Sequence, residues 1–189
     1  GNVTGYKIRF NTIRNTSASG APGSGCIITG GSDHDVHNNT CTGDPYIGIR
    51  LQWSGANNIR VYNNTVYNAG AIEGGIYLGA GLATNSFVKN NLVLGGEGKQ
   101  NQIVDLGSNN DISNNITSGA VLFTDALNGD FTLGSGSPAI SCGTDVGLPF
   151  NGTPECGAFE TFTYNNAILG SVDASTIVVS FQSAYSPIL

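Results

Sequence analysis

One short pattern of apolar and polar positions recurs five times along the first two thirds of the chain. Its copies are IRFNTI, VHNNTC, VYNNTV, VKNNLV and ISNNIT, and successive copies lie 24 to 28 residues apart. A β-branched residue stands three positions before a shared asparagine in every copy: Ile8, Val36, Val61, Val88 and Ile112. Short apolar alternation predicts strands, and a fixed period of this length is typical of a solenoid.

A second apolar segment precedes each of the last four copies and ends in a glycine-rich turn. These segments are CIITGG (26–31), GIRLQWSG (48–55), GGIYLGAG (74–81) and QIVDLGSN (102–109). Each repeat therefore predicts a strand, a glycine turn, a second strand, an asparagine bend and a short third strand. Successive turns of a solenoid stack at about 4.8 Å, so equivalent β-branched residues form a continuous core.

The recurring asparagine has a specific role in such a stack. An amide side chain both donates and accepts hydrogen bonds, so equivalent asparagines on successive coils can bond to one another. Asparagine also tolerates the unusual backbone angles of a bend. We therefore expect a buried ladder with one asparagine from each coil: Asn11, Asn39, Asn64, Asn91 and Asn115.

Coils of this length and order resemble those of the pectate-lyase-like right-handed parallel β-helices. The resemblance covers about residues 1–125 and implies an all-β solenoid of about five coils. That superfamily includes polysaccharide lyases, glycoside hydrolases, epimerases, viral tailspikes and adhesins. The fold alone therefore does not select a function.

The repeat fades after Asn115, and two different segments follow. The runs DFTLGSGSPAISCGTD (130–145) and CGAFE (156–160) resemble the closing segment of secreted bacterial β-helix proteins. This resemblance implies that residues 126–160 form a loop-rich cap over the last coil. Residues 161–189 resemble the first strands of an Ig-like β-sandwich and are too few to complete one. We therefore expect the chain to be part of a longer protein.

Composition excludes some classes of partner. The chain is acidic, with a net charge of −6, whereas nucleic-acid binding needs basic groups that neutralise phosphates. No apolar run reaches the 18 or more residues of a membrane-spanning helix. The abundance of glycine and the scarcity of strong helix formers agree with an all-β fold.

The cysteines and the glycosylation sequons bear on location. Four cysteines allow three disulfide pairings; the local pairings Cys26–Cys41 and Cys142–Cys156 are favoured, and four buried thiols are the alternative. No Cys/His spacing is typical of zinc. Together with the sequons, the cysteines favour an oxidising, extracellular location. The six N-x-Ser/Thr sequons begin at Asn2, Asn15, Asn38, Asn63, Asn115 and Asn151.

One outward column is a candidate carbohydrate site. Alignment of GIRL, GIYL and IVDL places Arg50, Tyr77 and Asp105 on adjacent coils, with Gln52 and Trp53 beside them. These side chains could bind a sugar through bidentate hydrogen bonds and ring stacking. The alternative is that any outward column holds some polar residues. The column lacks a second carboxylate, so the paired carboxylates of glycosidases are not evident.

Two other groups of polar residues are interpreted structurally. The run SDHD (Ser32–Asp35) superficially resembles the Asp/His cluster of alginate epimerases, but it lies at a turn, where Ser and Asp are common. We expect His34 to face outward. Asp33 and Asp35 are candidate ligands for calcium as the alternative to a purely structural turn, and no other cofactor is expected. A mildly basic outward column is interpreted as a solvated face, or alternatively as a track for an anionic glycan: Arg9, His37, Tyr62, Lys89 and Ser113.

Three functions are compatible with these features. We expect a non-catalytic extracellular scaffold, such as an adhesin, filament or virion component, with glycans or neighbouring subunits as partners. The first alternative is a polysaccharide lyase or hydrolase whose site lies partly in upstream coils. The second is a carbohydrate-binding module. No catalytic residue can be named, and bare coil edges are expected to pair end to end with another chain.

Overall fold

Three parallel sheets run along the molecule, and each coil contributes one strand to each sheet. The computed structural model describes residues 4–14, 25–43, 46–52, 55–68, 74–95, 102–150 and 152–160. Sheet A contains β3 (Ile27–Thr29), β6 (Ile47–Leu51), β9 (Gly74–Leu78) and β12 (Ile103–Asp105). Sheet B contains β1 (Lys7–Arg9), β4 (Asp35–His37), β7 (Arg60–Tyr62), β10 (Phe87–Lys89) and β13 (Asp111–Ser113). Sheet C contains β2 (Thr12–Arg14), β5 (Thr40–Thr42), β8 (Thr65–Tyr67) and β11 (Leu92–Leu94).

This arrangement confirms the predicted right-handed parallel β-helix, with a smaller coil count. Within the described residues, three coils contribute to all three sheets, namely β3–β5, β6–β8 and β9–β11. A partial coil with β1 and β2 lies at one end, and another with β12 and β13 lies at the other. The prediction of about five coils therefore counted two partial coils as complete.

The core lies between the three sheets and consists of apolar side chains at alternate strand positions. Sheet A has little room where it meets sheet C, because a Cβ atom on Gly48 would collide with the side chain of Val66, and one on Gly75 with that of Val93. Glycine is therefore required at this corner. The inward residues of the three complete coils are fully buried: Ile49, Leu51, Ile76 and Leu78 from sheet A, Val36, Val61 and Val88 from sheet B, and Cys41, Val66 and Val93 from sheet C.

The asparagine ladder is confirmed along its whole predicted length. The Oδ1 atom of each ladder asparagine after Asn11 accepts hydrogen bonds from the backbone N–H and the Nδ2 of the asparagine one coil earlier, at 2.9–3.1 Å. Each Nδ2 after Asn11 also donates to two backbone carbonyls near the bend. Both polar ends of the buried amides therefore have partners, as burial requires.

The left-handed backbone conformation lies one residue earlier than expected. The residue that precedes each ladder asparagine, and not the ladder asparagine itself, has a positive φ of 50–57°. This separates two roles: the first residue makes the bend, and the second forms the ladder. Asparagine fills the bend position in four coils, because it adopts this conformation more easily than most residues. The bend residues are Phe10, Asn38, Asn63, Asn90 and Asn114.

The segment after the last coil lies along the side of the solenoid. This C-terminal arm (residues 123–150 and 152–160) begins with an antiparallel hairpin of β14 (Phe123–Asp125) and β15 (Asp130–Leu133), joined by a 3₁₀ turn, Ala126–Asn128. Phe123 and Phe131 pack on Tyr67 of sheet C, with ring centroids 5.2–5.6 Å apart. Further hydrogen bonds join Arg14 to Gly129, Asn38 to Ala158, Asn63 to Glu155 and Asn90 to Thr144.

The described part of the arm runs along sheet C, and the expected cap of residues 126–160 over the last coil stays a prediction. Contacts with Arg14 in the first partial coil and with Asn90 in the last complete coil place the arm lengthwise beside sheet C. At the end of the solenoid, Leu106 remains 50% exposed and Ile112 remains 38% exposed. The expected extension at 161–189 lies outside the described residues.

Candidate functional site

The register of sheet A changes the predicted carbohydrate column. Arg50 and Tyr77 are neighbours, as expected, but Val104 rather than Asp105 lies beside Tyr77. Asp105 pairs with Leu78, and its carboxylate accepts hydrogen bonds from the Gly107 backbone and the Asn110 amide, each at 2.9 Å.

The predicted column was wrong at Asp105 because the alignment was shifted by one residue. The sequence alignment matched Leu106 with Leu78, whereas Ile103 is the residue that pairs with Ile76. In a strand, a shift of one residue transfers every side chain to the opposite face. The outward column therefore consists of Ile28, Arg50, Tyr77 and Val104.

Arg50 and Tyr77 form the polar centre of this column. The guanidinium carbon of Arg50 lies 5.2 Å from the centroid of the Tyr77 ring, within the range of a cation–π interaction. Both residues are half-buried, as is Gln52, which follows Arg50 by two positions and therefore extends from the same face of the strand. Trp53 lies outside the described residues. The group can donate hydrogen bonds and offer an aromatic edge to a hydroxyl-rich ligand.

The second predicted column, on sheet B, has the expected register. Arg9, His37, Tyr62, Lys89 and Ser113 are paired in this order. Its centre is not solvated, however, because His37 is 3% exposed and Tyr62 is 4% exposed. The two rings stack with centroids 4.8 Å apart and planes 6° apart. The interpretation of this column as a solvated face was therefore wrong at its centre.

Burial also controls the ionisation of the sheet B column. Desolvation lowers the pKa of the His37 imidazole below its ordinary value, against a weaker opposite effect of its hydrogen bond with Asn38. Beside the column, Asp35 accepts two hydrogen bonds from the guanidinium of Arg60. Asp35 is itself buried, so the guanidinium of Arg60 compensates the buried negative charge of its carboxylate.

The SDHD segment is a structural bend. The side chain of His34 is fully buried, so the prediction that it faces outward was wrong. Its Nδ1 accepts a hydrogen bond from the Tyr6 N–H at 3.0 Å, which leaves the proton on Nε2 to be donated to the Gly30 carbonyl at 2.8 Å. His34 occupies the position that Ile59 fills one coil later, five residues before the ladder asparagine, and this position faces inward.

The two carboxylates proposed for calcium have different partners. Asp33 adopts the left-handed bend conformation, and its Oδ1 accepts from the amide of Asn58 at 2.7 Å. Asp35 binds Arg60 instead. Within the described part of the chain, no three His, Cys, Asp or Glu side chains gather in a way that could hold a metal ion.

Both favoured disulfides are confirmed. Cys26–Cys41 connects the start of sheet A to sheet C at the corner where the two sheets meet, and Cys142–Cys156 closes a loop within the arm. Such bonds persist in oxidising surroundings, which supports the expected extracellular environment. Among the described residues, no helix is long and apolar enough to cross a membrane.

Sequence reasoning missed the outer asparagines as binding groups. Asn90 donates to the Thr144 carbonyl at 2.7 Å and accepts from the Thr144 N–H at 2.9 Å, and Asn63 donates to the Glu155 carbonyl at 3.1 Å. The signal was present as the doubled asparagine in four of the five motifs. Only one member of each pair was needed for the ladder, so the other was available for the arm.

Comparison with known families agrees with this architecture. The family model described as "Right handed beta helix region" matches residues 2–117, which include all the strands of sheets A, B and C. Comparison with curated proteins and with solved structures finds no match.

Proposed function

Since the chain belongs to the right-handed β-helix family, we propose that it is an extracellular structural protein, a component of an adhesin, a filament or a virion surface. Its role is to form a rigid rod that contacts glycans or neighbouring subunits. The fold alone does not select an activity, so the contacts of the polar side chains distinguish between the candidate functions.

The observation that carries the proposal is that the repeated polar residues bond to the protein itself. The ladder asparagines bond along the axis, and the outer asparagines at 38, 63 and 90 bond to the arm. Groups used in this way stiffen the rod, because each buried amide would be costly to leave without a partner.

A depolymerisation assay tests this proposal directly. The full chain is incubated with a broad panel of acidic and neutral polysaccharides, and new reducing or unsaturated ends are measured. We expect no new ends, and therefore no difference between the unchanged chain and Arg50→Ala. Release of ends that Arg50→Ala abolishes would overturn the proposal and favour the lyase or hydrolase alternative.

The sheet A column supports a second candidate function, carbohydrate binding. Arg50 and Tyr77 lie together on the outer face of the rod, with the guanidinium held over the ring. A sugar could accept hydrogen bonds from Arg50 and Gln52 and contact the ring of Tyr77. The flanking Ile28 and Val104 restrict this site to about two coils.

Binding measured by a glycan array followed by titration tests this candidate. Tyr77→Ala is expected to weaken saturable binding by about tenfold, which corresponds to the loss of roughly 1.4 kcal/mol. Tyr6→Ala is the matched control, because Tyr6 is an exposed tyrosine beside sheet B. Equal binding by both variants and the unchanged chain would exclude the Arg50–Tyr77 site.

A further inference from the structure

Two N-glycosylation sequons lie on the surface that the C-terminal arm covers. The Nδ2 of Asn38 donates to the Ala158 carbonyl at 3.0 Å. The Nδ2 of Asn63 donates to the Glu155 carbonyl at 3.1 Å and to the Glu160 carboxylate at 3.2 Å. Both amide hydrogens of Asn63 therefore have acceptors in the arm. The residue is 1% exposed, so no space remains beside the amide for a glycan.

The threonines of the same sequons are also buried. Thr40, which completes the sequon of Asn38, is 2% exposed, and Thr65, which completes the sequon of Asn63, is 1% exposed. The Oγ1 of Thr65 accepts a hydrogen bond from the Ala158 N–H at 2.9 Å. The arm therefore contacts both the asparagine and the threonine of this sequon.

A third described sequon lies in the ladder. The Nδ2 of Asn115 donates to the Val88 carbonyl at 2.7 Å and to the Ser113 carbonyl at 3.0 Å. Its Oδ1 accepts from the backbone N–H of Asn91. As with Asn63, both amide hydrogens have partners in the folded chain.

N-glycosylation is chemically incompatible with these hydrogen bonds. In this reaction the sugar C1 leaves the diphosphate of a lipid-linked oligosaccharide and bonds to Nδ2, while one amide proton leaves with the diphosphate. The modified amide retains a single N–H and carries a bulky, hydrated group. A glycan on Asn63 would therefore remove one of its two bonds to the arm and occupy the volume of residues 155–160.

Folding cannot protect the sequons while the chain is being made. The arm residue Glu155 follows Asn63 by 92 residues, and Ala158 follows Asn38 by 120 residues. At synthesis rates of roughly 5–20 residues per second, the arm residues follow these sequons after about 5–24 s. During this time their amides are open to any glycosylating enzyme.

We infer that arm docking and N-glycosylation exclude each other, and that this protein matures where disulfides form but N-glycans are not attached. The two disulfides require an oxidising compartment, and the hydrogen bonds from Asn38 and Asn63 to the arm require that the compartment lack N-glycosylation. The inference rests on the proposed extracellular location and narrows it to one class of secretory environment. It also removes the sequons as support for a glycosylated surface.

The test compares the full chain from two oxidising compartments. One sample is made in a bacterial periplasm without N-glycosylation, and the other is secreted from mammalian cells. Peptide mass spectrometry gives the occupancy of Asn38 and Asn63, and hydrogen exchange gives the protection of residues 137–160. We expect unmodified sequons and a protected arm in the periplasmic sample. In the secreted sample we expect occupied sequons, with at least tenfold loss of arm protection in the occupied molecules.

One double variant distinguishes the effect of the glycan from the effect of the host cell. Thr40→Val and Thr65→Val, made together, remove both sequons and nearly preserve side-chain shape; the loss of the Thr65 hydroxyl is measured in the periplasmic sample. The secreted double variant should recover the arm protection of the periplasmic double variant. Full occupancy of Asn63 with an undiminished protected arm would overturn the inference, and so would native secreted protein with empty sequons. The depolymerisation assay uses periplasmic protein alone, so its outcome is independent.

Discussion

The coils and the C-terminal arm use similar polar side chains, but different kinds of contact hold them in place. In the coils, one hydrogen-bond arrangement is repeated from Asn11 to Asn115, each asparagine bonding to its equivalent one coil away. In the arm, the contacts differ from one another: an aromatic cluster at the hairpin, one or two amide hydrogen bonds from each of the outer asparagines at 38, 63 and 90, and one disulfide.

This difference predicts two levels of stability. In a solenoid, each coil depends on its neighbours, so the central coils open together. The arm packs on the coils through one apolar cluster around Leu92 and through hydrogen bonds that do not repeat. We therefore expect it to detach at a lower free energy than the coils unfold. Hydrogen exchange of the unchanged chain should therefore show slower exchange in β4–β11 than in residues 137–160.

The largest expected effect is at the centre of the ladder. Asn64→Ala leaves the Asn39 N–H and two backbone carbonyls without partners inside the core, and we expect a loss of about 4 kcal/mol in the free energy of unfolding. Urea denaturation measures it. Asn11→Ala is the control at the exposed end of the same ladder, where water replaces the amide and the loss should be about 1 kcal/mol. Equal losses would contradict a buried, cooperative ladder.

The two disulfides provide a matched pair of intermediate effect. Their sequence separations are 15 and 14 residues, so loss of either bond should release about 3 kcal/mol of loop entropy. Cys26→Ala with Cys41→Ala should lower the denaturation midpoint of the coils. Cys142→Ala with Cys156→Ala should accelerate exchange in the arm and change the coil midpoint little. If both pairs lowered the coil midpoint equally, the arm and the coils would unfold as one unit.

A smaller effect isolates the amide bonds of the arm. Asn90 and Asn114 share the left-handed bend conformation, with φ of 55° and 53°. Asn90 binds Thr144 through two hydrogen bonds, whereas Asn114 is exposed. Alanine at either position incurs the same backbone cost. The loss in the free energy of arm docking should therefore be about 2 kcal/mol larger for Asn90→Ala than for Asn114→Ala. Arm exchange rates measure the difference, and equal rates would show that the amide bonds do not hold the arm.

The smallest effect is a dependence on pH that has opposite sign in the two regions. Burial raises the pKa of Glu160 in the arm to about 7 from an ordinary 4.5, although a hydrogen bond from the Glu155 N–H opposes the rise. The folded arm then binds more protons than the released arm, so docking weakens as pH rises from 4.5 through 7. Glu160→Gln should abolish this trend in arm exchange rates; its persistence would assign the trend to another group.

Burial lowers the pKa of His37 beneath its ordinary 6.5, so the coils should respond in the other direction. The unfolded chain binds the proton more readily, and coil stability should therefore fall as pH decreases below about 6.5. His37→Gln should reduce this slope in urea denaturation measured between pH 7 and pH 5. An unchanged slope would exclude His37 as its source.

Much of the coil region could be predicted because repetition makes errors visible. A β-branched residue in the same place in five motifs indicates an inward column, and the ladder follows from the asparagine beside it. The prediction was wrong where repetition was weakest. β12 has no glycine before its apolar pair, and Asp105 was therefore aligned one residue out of register.

The burial of His34 and the docking of the arm required the tertiary structure for a different reason. Polar residues at a turn are usually solvated. His34 has internal partners only because the fold brings the Tyr6 N–H and the Gly30 carbonyl to its two ring nitrogens. The arm joins residues up to 120 positions apart. Its contacts do not repeat, so no column in the sequence records them.

By itself, the sequence determined the solenoid, its inward β-branched column and its asparagine ladder, because all three depend on local order or on a fixed period; it favoured the local cysteine pairing, which the structure confirmed. The tertiary structure alone decided the register of sheet A, the direction of the arm and the occupation of the outer asparagines. Those features depend on contacts between segments that share no pattern. For the same reason the sequons at Asn38 and Asn63, which look like surface signals in the sequence, bond to the arm in the folded protein.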